Sequence, residues 1–545
     1  MAATPPRAPT PSSDDRGATS SSSTSKDEAA AFVDVEKASA LFTLPPLPAA
    51  PTPEHFRDIA FLGPITLHRL AVLFWIVGTG VLFFFLQEWI WPDFENRNTR
   101  GWPGLPYLGV IWLVSLPTSV ATLFGSLWFR YNTRLDRVPR TAHPVAFRIV
   151  SRGTNRQCLL ETVKRCQDEM RRTPLFPYLI EIVTDGNVFD APPDPDVIQL
   201  KVPIDYTTPN GTLFKARALH YACEHSVVPA HTWLVHLDEE TQPTSSGIKG
   251  IADMIAHCER VGDLTAIGQG SILYNRAFHT HPFLTLADMR RTGDDFGQFF
   301  LQHRLGVTLF GLHGAYIVCR QDAEAAIGFD LGPAGSITED AWWVLLAMKH
   351  GYRTRWVDGY LEEQSTQSLM DLLKQRRRWY YGLSKVITQC PVPFRYRAIM
   401  FFTTSTWLII PLLLPLQLAL LVVMFVLQQG APLWIRILTN FIVSIAMLVY
   451  LSGLVANMVE HRMRWWKMPF WTAAMLIVLP LCMGIEVVSV VMAFFAPCSE
   501  GGKGFHVVQK SAHMEEEEEE DEEAAMKDQA VEEQAVEVQS VEDKV

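Results

Sequence analysis

The sequence predicts an α/β domain inserted between transmembrane α-helices. Two observations carry that class: five long apolar tracts gather in two groups within the 545-residue chain, and the stretch between the groups alternates strand-like with helix-like segments. A third observation marks where chemistry would sit, since one predicted strand ends on three consecutive acids in "WLVHLDEETQP".

The apolar tracts cover 70–86, 105–129, 398–435, 437–458 and 468–496, and the first four contain no Asp, Glu, Lys or Arg. About 20 apolar residues suffice to cross the hydrocarbon of a bilayer. An integral, multi-pass membrane protein is therefore expected. The first tract begins near residue 66, behind a Pro/Ser/Thr-rich leader and with no cleavable h-region before it, which predicts a retained anchor. Arg130, Arg134, Arg137 and Arg140 follow the second tract, and Arg462, Arg464 and Lys467 separate the fourth from the fifth. By the positive-inside rule both basic loops face the cytoplasm, and so does the domain that follows the first. Eight cysteines without a CxxC spacing agree with a reducing compartment. The third tract, with Pro411 and Pro415, is long enough to hold an interfacial piece as well as a span. Glu486 interrupts the fifth; it either lines a path or marks the end of the span.

The net charge of -11 is unevenly spread. Residues 511–545 hold fifteen acids and two bases, which leaves the rest of the chain near neutrality. No nucleic-acid partner is expected. The predicted organisation is a leader over 1–60, two transmembrane helices within 66–130, a cytoplasmic domain over 131–396, about three transmembrane or interfacial helices within 397–497, and an acidic tail over 498–545. Self-repulsion keeps the tail solvated, and composition does the same for the leader.

Within the domain, "AFRIVS" (146–151), "LIEIVT" (179–184), "VIQLKV" (197–202) and "TWLVHL" (232–237) read as strands, being short, rich in β-branched residues and bounded by Gly, Pro or Asp. "RQCLLETVKRCQDEMRR" and "TLFKARALHYACEH" read as amphipathic helices between them. This alternation predicts a parallel sheet covered by helices, with ligands beyond the carboxyl ends of its strands. Three carboxylates at such an end, Asp238, Glu239 and Glu240, repel one another unless something compensates them. Two readings fit: a divalent metal carrying a nucleotide diphosphate, or acids that simply cap the next helix. Glu339 and Asp340 in "GSITEDAWW" precede an apolar helical run, either as chemistry or as first-turn acids behind a Ser336 or Thr338 cap. "LKQRRRWYYG" combines Gln375, Arg378 and Trp379, which also suits an amphipathic helix lying on a membrane. His279 and His281 lack a Cys/His cluster at metal-ligand spacing, and "GQG" (268–270) lacks the G-x-G-x-x-G fingerprint.

In chain order, Asp185 in "VTDG", Lys215 and Arg217 in "NGTLFKARAL", "LDEE", "TED" and "QRRRW" resemble the signature of membrane-bound family 2 glycosyltransferases with the nucleotide-sugar-binding A-type fold. "HLDEET", "IGQGSILYN", "LTLADMRRTGDD", "HGAYIV" and "SITEDAWW" look most like the egghead-type β-1,4-mannosyltransferases. The resemblance spans about 145–385. It implies inverting transfer of a hexose, mannose from GDP-mannose, onto a lipid or glycolipid acceptor, with Mn²⁺ or Mg²⁺ as cofactor, in the endoplasmic reticulum or Golgi membrane. It also implies roles. Asp340, beside Glu339, is the catalytic base; Ser151, Arg152, Asp185, Lys215, Arg217 and Asp238 surround the donor, with Asp185 at its base or ribose and Lys215 and Arg217 near the nucleotide or its phosphates. Asp238 and Glu240 hold the metal, a departure from the commoner D-x-D pair. Gln375, Arg378 and Trp379 close over donor and acceptor, Trp379 offering a ring face to a sugar, with His313 and Gly314 in the acceptor pocket.

Two rivals stay open at this stage. A processive polysaccharide synthase of cellulose or hyaluronan synthase type, placed at the plasma membrane, shares "QRRRW". The segment 502–510, "GKGFHVVQK", resembles the cytoplasmic gating segment of those synthases, yet an odd count of spans puts it in the lumen. The other rival is a non-catalytic membrane scaffold or transporter with a decayed domain, against which the intact acids argue.

Overall fold

The computed structural model describes residues 67–90, 104–129, 138, 140–185, 190–276, 281–427, 430–460 and 463–495. The expected leader, acidic tail and segment 502–510 lie outside them, as do Arg130, Arg134, Arg137, Arg462 and His279.

Helix α1 (Leu67–Ile90) leads to a 3₁₀ segment (Leu105–Ser115) continued by α2 (Leu116–Trp128). The domain then runs β1 (Val145–Ser151), α3 (Arg156–Arg172), β2 (Tyr178–Asp185), β3 (Val197–Val202), α4 (Phe214–His225), β4 (Trp233–Asp238) and β5 (Gln242–Pro243). It continues through α5 (Ser245–Val261), β6 (Ala266–Arg276), α6 (Pro282–Asp294), a π-helical turn (Asp295–Phe299) and α7 (Phe300–Leu305). It closes with β7 (Ile317–Arg320), α8 (Gln321–Ile327), α9 (Gly332–Gly335), α10 (Glu339–Lys349), β8 (Arg353–Gln364) and α11 (Leu369–Gln389). Helices α12 (Phe394–Val426), α13 (Leu433–Glu460) and α14 (Met468–Phe495) end the described chain.

One eight-stranded sheet has the order β3-β2-β1-β4-β7-β6-β8-β5. Strands β1 to β4 pair in parallel, as the helix and strand alternation predicts, but β7 runs antiparallel to both β4 and β6. The all-parallel expectation needs that correction. The chain leaves β6 through α6, the π-turn and α7, and comes back through β7 in the opposite direction. Central β1 is buried along its whole length because both sheet faces are covered. Val145, Phe147 and Ile149 point to the face packed by Leu159 and Cys166 of α3 and Ile251 of α5. Val150 and Val183 point to the other, against Ala218 and Leu219 of α4 and Trp343 of α10. From β1 the chain winds outward to β3, then returns to place β4 on the other side of β1. That reversal opens a crevice beyond the ends of β1 and β4, where Ser151 and Asp238 stand.

Among the described residues five helices are long and apolar enough to cross a membrane: α1, the 3₁₀ segment with α2, α12, α13 and α14. Helix α12 continues for 33 residues through Pro411 and Pro415, and α13 begins at Leu433. The domain is seated directly on these helices. A Cβ added at Gly293 of α6 would lie 1.9 Å from the Val449 carbonyl oxygen of α13, and one at Gly453 of α13 would lie 2.1 Å from the Met289 carbonyl oxygen of α6. Only hydrogen fits between the two backbones. Gly453→Leu should therefore destabilise the protein by roughly 1–3 kcal/mol, the usual range for overpacking. A thermal scan of the detergent-solubilised protein reads this as a lower Tm; an unchanged Tm would mean that α6 and α13 are not in backbone contact.

Candidate active site

The crevice is built from strand ends and helix starts. At the end of β1, Ser151 Oγ donates to Glu239 Oε2 at 2.5 Å, and the Glu239 carbonyl accepts from Thr162 Oγ1 of α3 at 2.7 Å. Glu239 is thus tied back to β1 and α3. Asp238, Glu240, Ser151 and Arg152 all line the cavity above the crevice.

Lys215 stands in the first turn of α4, after Phe214, whose φ of 55° puts a bulky residue in the left-handed region. Such backbone strain is maintained only where the surroundings require it. The Lys215 ammonium donates to Asp238 and to the Gly314 carbonyl at 2.8 Å, and lies 3.6 Å from Glu339. Burial works against its charge, but Asp238, Glu339 and Asp340 outweigh burial and raise its pKa. It therefore stays protonated.

Asp340 and Glu339 open α10. Neither residue suggested as a side-chain cap serves as one: Thr338 makes no capping hydrogen bond, and Ser336 instead donates to the Gly332 carbonyl and accepts from the Leu213 amide. Asp340 Oδ1 accepts from the Ala341 amide at 2.7 Å. Burial, and next the charge of Glu339, push the Asp340 carboxyl up to about 7, against the opposing pull of that amide, Lys215 and His313. A carboxylate tuned to that value is suited to take a proton at neutral pH. Gly314 faces the same place: a Cβ there would come within 3.4 Å of Lys215 Nζ, 3.5 Å of Asp340 Oδ2 and 3.7 Å of Glu339 Oε1.

His313 pairs through Nε2 with Asp295 Oδ1 at 2.6 Å, and Asp295 Oδ2 accepts from Ser271 Oγ and the Ile272 amide. Asp295 begins the π-turn, and its Phe299 ring lies 4.6 Å from the His313 ring. Sequence reasoning did not single out Asp295, although "LTLADMRRTGDD" contains it; nothing in that string shows which acid turns toward His313. The "GQG" glycine has a packing reason, since a Cβ at Gly270 would meet the Tyr316 ring at 2.3 Å.

Two expected placements change. Arg217 does not line the cavity; it bonds Asp185 and donates to the Tyr206 carbonyl at 2.6 Å, so it holds Asp185 from behind rather than facing the cavity itself. Its helix turns the guanidinium back toward the β2 end. Trp379 does line the cavity with Gln375 and Arg378, but its ring carries the guanidiniums of Arg376 at 4.2 Å and Arg291 at 4.6 Å from the centroid. The ring is already engaged in cation–π contact.

His236, Cys319 and Glu324 are a close-set group of possible metal ligands, all buried. Glu324, however, bonds Arg148 through one oxygen and His236 through the other, and Arg148 also bonds Glu181 at 2.5 Å. Burial raises the Glu324 pKa, but Arg148 and His236 overcome it and hold the carboxyl down at about 2. This is an ion cluster bracing β1, β2 and β4 beneath the site.

A single cavity of about 750 Å³ unites these residues, and it continues between the membrane helices, where Trp112, Thr118, Trp407, Pro411, Ile445 and Tyr450 line it. Its wall holds ten carboxylate residues against six Lys and Arg. Residues 233–497 match the family described as Glycosyl transferase family group 2, and with the relatives below this shows that the chain belongs to the family 2 glycosyltransferases. It is 30% identical over 405 residues to β-1,4-mannosyltransferase bre-3 of Caenorhabditis briggsae and of Caenorhabditis elegans, covering 73% of this chain and 86% of each relative. It is 28% identical over 410 residues to β-1,4-mannosyltransferase egh of Drosophila melanogaster, covering 74% and 86%. A solved mannosyltransferase of Pyrobaculum calidifontis, in complex with GDP-Man and Mn²⁺, aligns with 78% of this chain and 98% of its own at 12% identity and a TM-score of 0.37. The protein is an enzyme that transfers a glycosyl group.

Because Glu339 is one of the charges that raise Asp340, Glu339→Gln should move the acidic inflection of the kcat/KM profile to lower pH. Wild type should gain activity as pH rises through about 7, where Asp340 loses its proton. Profiles of the two proteins with the same inflection would show that another group is titrating.

Proposed function

We propose that this enzyme transfers mannose from GDP-mannose, with inversion and β linkage, to the sugar of a membrane glycolipid. The observation that carries the reading is the continuity of the cavity, from the acids at the strand ends to the space between the membrane helices. A soluble donor and a lipid-held acceptor can meet there without either leaving its own phase. The names of the relatives support mannose and the β-1,4 linkage.

The residues fit a divalent cation. A nucleotide diphosphate brings negative charge to a wall where carboxylates already outnumber fixed cations ten to six. Mn²⁺ or Mg²⁺, which take a few carboxylates together with phosphate oxygens, suit that imbalance, and Asp238 and Glu240 would hold the ion. When bound, it supplies Lewis-acid stabilisation of the departing diphosphate. Lys215 keeps Asp238 in place, and Asp185, held by Arg217, faces the nucleoside. Asp340 takes the proton of the acceptor hydroxyl as that oxygen bonds the anomeric carbon; the bond from carbon to phosphate oxygen breaks, and GDP leaves with its electron pair. Gln375 and Arg378 close the site from α11. The basic residues Arg140, Arg464 and Lys467 support a cytoplasmic domain, here on the endoplasmic reticulum or Golgi membrane.

Purified protein in detergent, given Mn²⁺ or Mg²⁺ and a panel of GDP- and UDP-sugars, should release GDP from GDP-mannose only when glucosylceramide is present. Asp340→Asn should lower that rate by about 10²–10⁴, the usual contribution of a general base. Undiminished transfer by well-folded Asp340→Asn would sink the base assignment. UDP release without lipid, accompanied by long polymer, would favour a processive synthase, whose chain could also pass the polar wall formed by Ser115, Thr118, Ser119 and Gln417.

A further inference from the structure

Glu486 is the one Asp, Glu, Lys or Arg of α14, an otherwise apolar 28-residue helix. An acid inside a span is costly enough to require a partner and usually a purpose. Its partners lie on the helix that carries the QRRRW motif: Tyr380 Oη donates to Glu486 Oε2 at 2.6 Å, and Arg376 Nε lies 3.4 Å from Glu486 Oε1. Arg376 Nη2 also donates to Asp288 Oδ1 of α6 at 2.5 Å, with both side chains almost wholly buried.

The contact has two layers. Leu284 of α6, Leu372 of α11 and Ile485 of α14 form an apolar cluster. One turn further along α6 and α11, and at the next residue of α14, stand Asp288, Arg376 and Glu486. The apolar layer brings three helices together without fixing their rotation, because hydrophobic contact is non-directional. The polar layer supplies direction. It brackets Trp379, which lies in sequence between the two residues that bond Glu486 and carries the Arg376 guanidinium on its ring.

We propose that Glu486 is a positioning residue for the acceptor: it fixes α11 against the membrane helix α14, and so sets where the α11 wall of the cavity, Gln375, Arg378 and the edge of Trp379, stands for a sugar entering from the bilayer. The inference rests on the glycolipid reading above. Among the described residues no hydrogen bond or ion pair joins Glu486, Arg376 or Tyr380 to Asp185, Lys215 or Asp238. The donor side should therefore be insensitive to Glu486. Loss of its charge leaves the Arg376–Asp288 pair neutral and intact, so α6 and α11 stay joined while α11 loses its charged tie to α14 and keeps the apolar layer and the weak bond from Ser489 Oγ to the Leu373 carbonyl at 3.5 Å.

The test compares Glu486→Leu, Glu486→Gln and Tyr380→Phe with wild type, using glucosylceramide as acceptor and GDP-mannose as donor. Glu486→Leu should raise KM for glucosylceramide about tenfold, as expected for a displaced positioning group. Glu486→Gln, which keeps an oxygen for Tyr380, and Tyr380→Phe, which keeps the charge on Arg376, should each give a smaller rise. KM for GDP-mannose should stay within about twofold of wild type. An unchanged acceptor KM in all three, or equal losses on donor and acceptor sides, would overturn the assignment; if Glu486→Leu fails to fold, the two milder variants decide it. Wild type that turns over GDP-mannose but ignores glucosylceramide would defeat the acceptor reading itself, a result distinct from variants that match an active wild type.

Discussion

The site depends on one half-buried cation held among acids. Lys215 bonds Asp238 and the Gly314 carbonyl and lies beside Glu339, so a single ammonium joins α4, the end of β4, the loop before β7 and the start of α10. Without it, Asp238, Glu339 and Asp340 would face one another across a small space with no fixed positive charge between them. With it, the acids separate into two functions. Asp238 is drawn toward the cation, while Asp340, next to Glu339, is left with a carboxyl raised to about 7. Different environments thus give chemically similar groups different work.

A second constraint comes from the membrane. The close backbone crossing at Gly293 and Gly453 leaves the domain no freedom to stand away from the spans. The site is consequently a cavity shared by two phases, and the helix that carries QRRRW lies along the seam, bonded to α6 on one side and α14 on the other. A soluble transferase could place its acceptor groups on a mobile loop. Here the groups proposed to meet the acceptor are fixed by the same contacts that hold the protein together, which ties stability to geometry on that side of the cavity.

Much of this was legible in sequence because the relevant signals are local. The four parallel strands lie within a residue of the runs rich in β-branched residues, and the five apolar tracts each hold a helix long enough to span, since burial in a sheet and in lipid both leave compositional traces. The acids at the end of β4 and the start of α10 were also visible, although in sequence alone a helix start accounts for them as well as chemistry does. Arg217 and Trp379 were harder. Their chemical types suited phosphate and sugar, but a side chain's direction depends on what packs beside it, and the structure turns Arg217 to Asp185 and covers the Trp379 ring with Arg291 and Arg376.

By itself the sequence determined an α/β domain between membrane helices, the order of its motifs and the chemical type of every group in the cavity, because periodicity, composition and residue identity are properties of neighbours in the chain. Tertiary structure alone decided which of those groups meet. The antiparallel return of β7, the Asp295 partner of His313, the clamp on Lys215 and the bond from Glu486 to the QRRRW helix join residues far apart in sequence. Their energies arise only when the chain brings charges and hydrogen-bonding groups within a few ångströms in a space shielded from water.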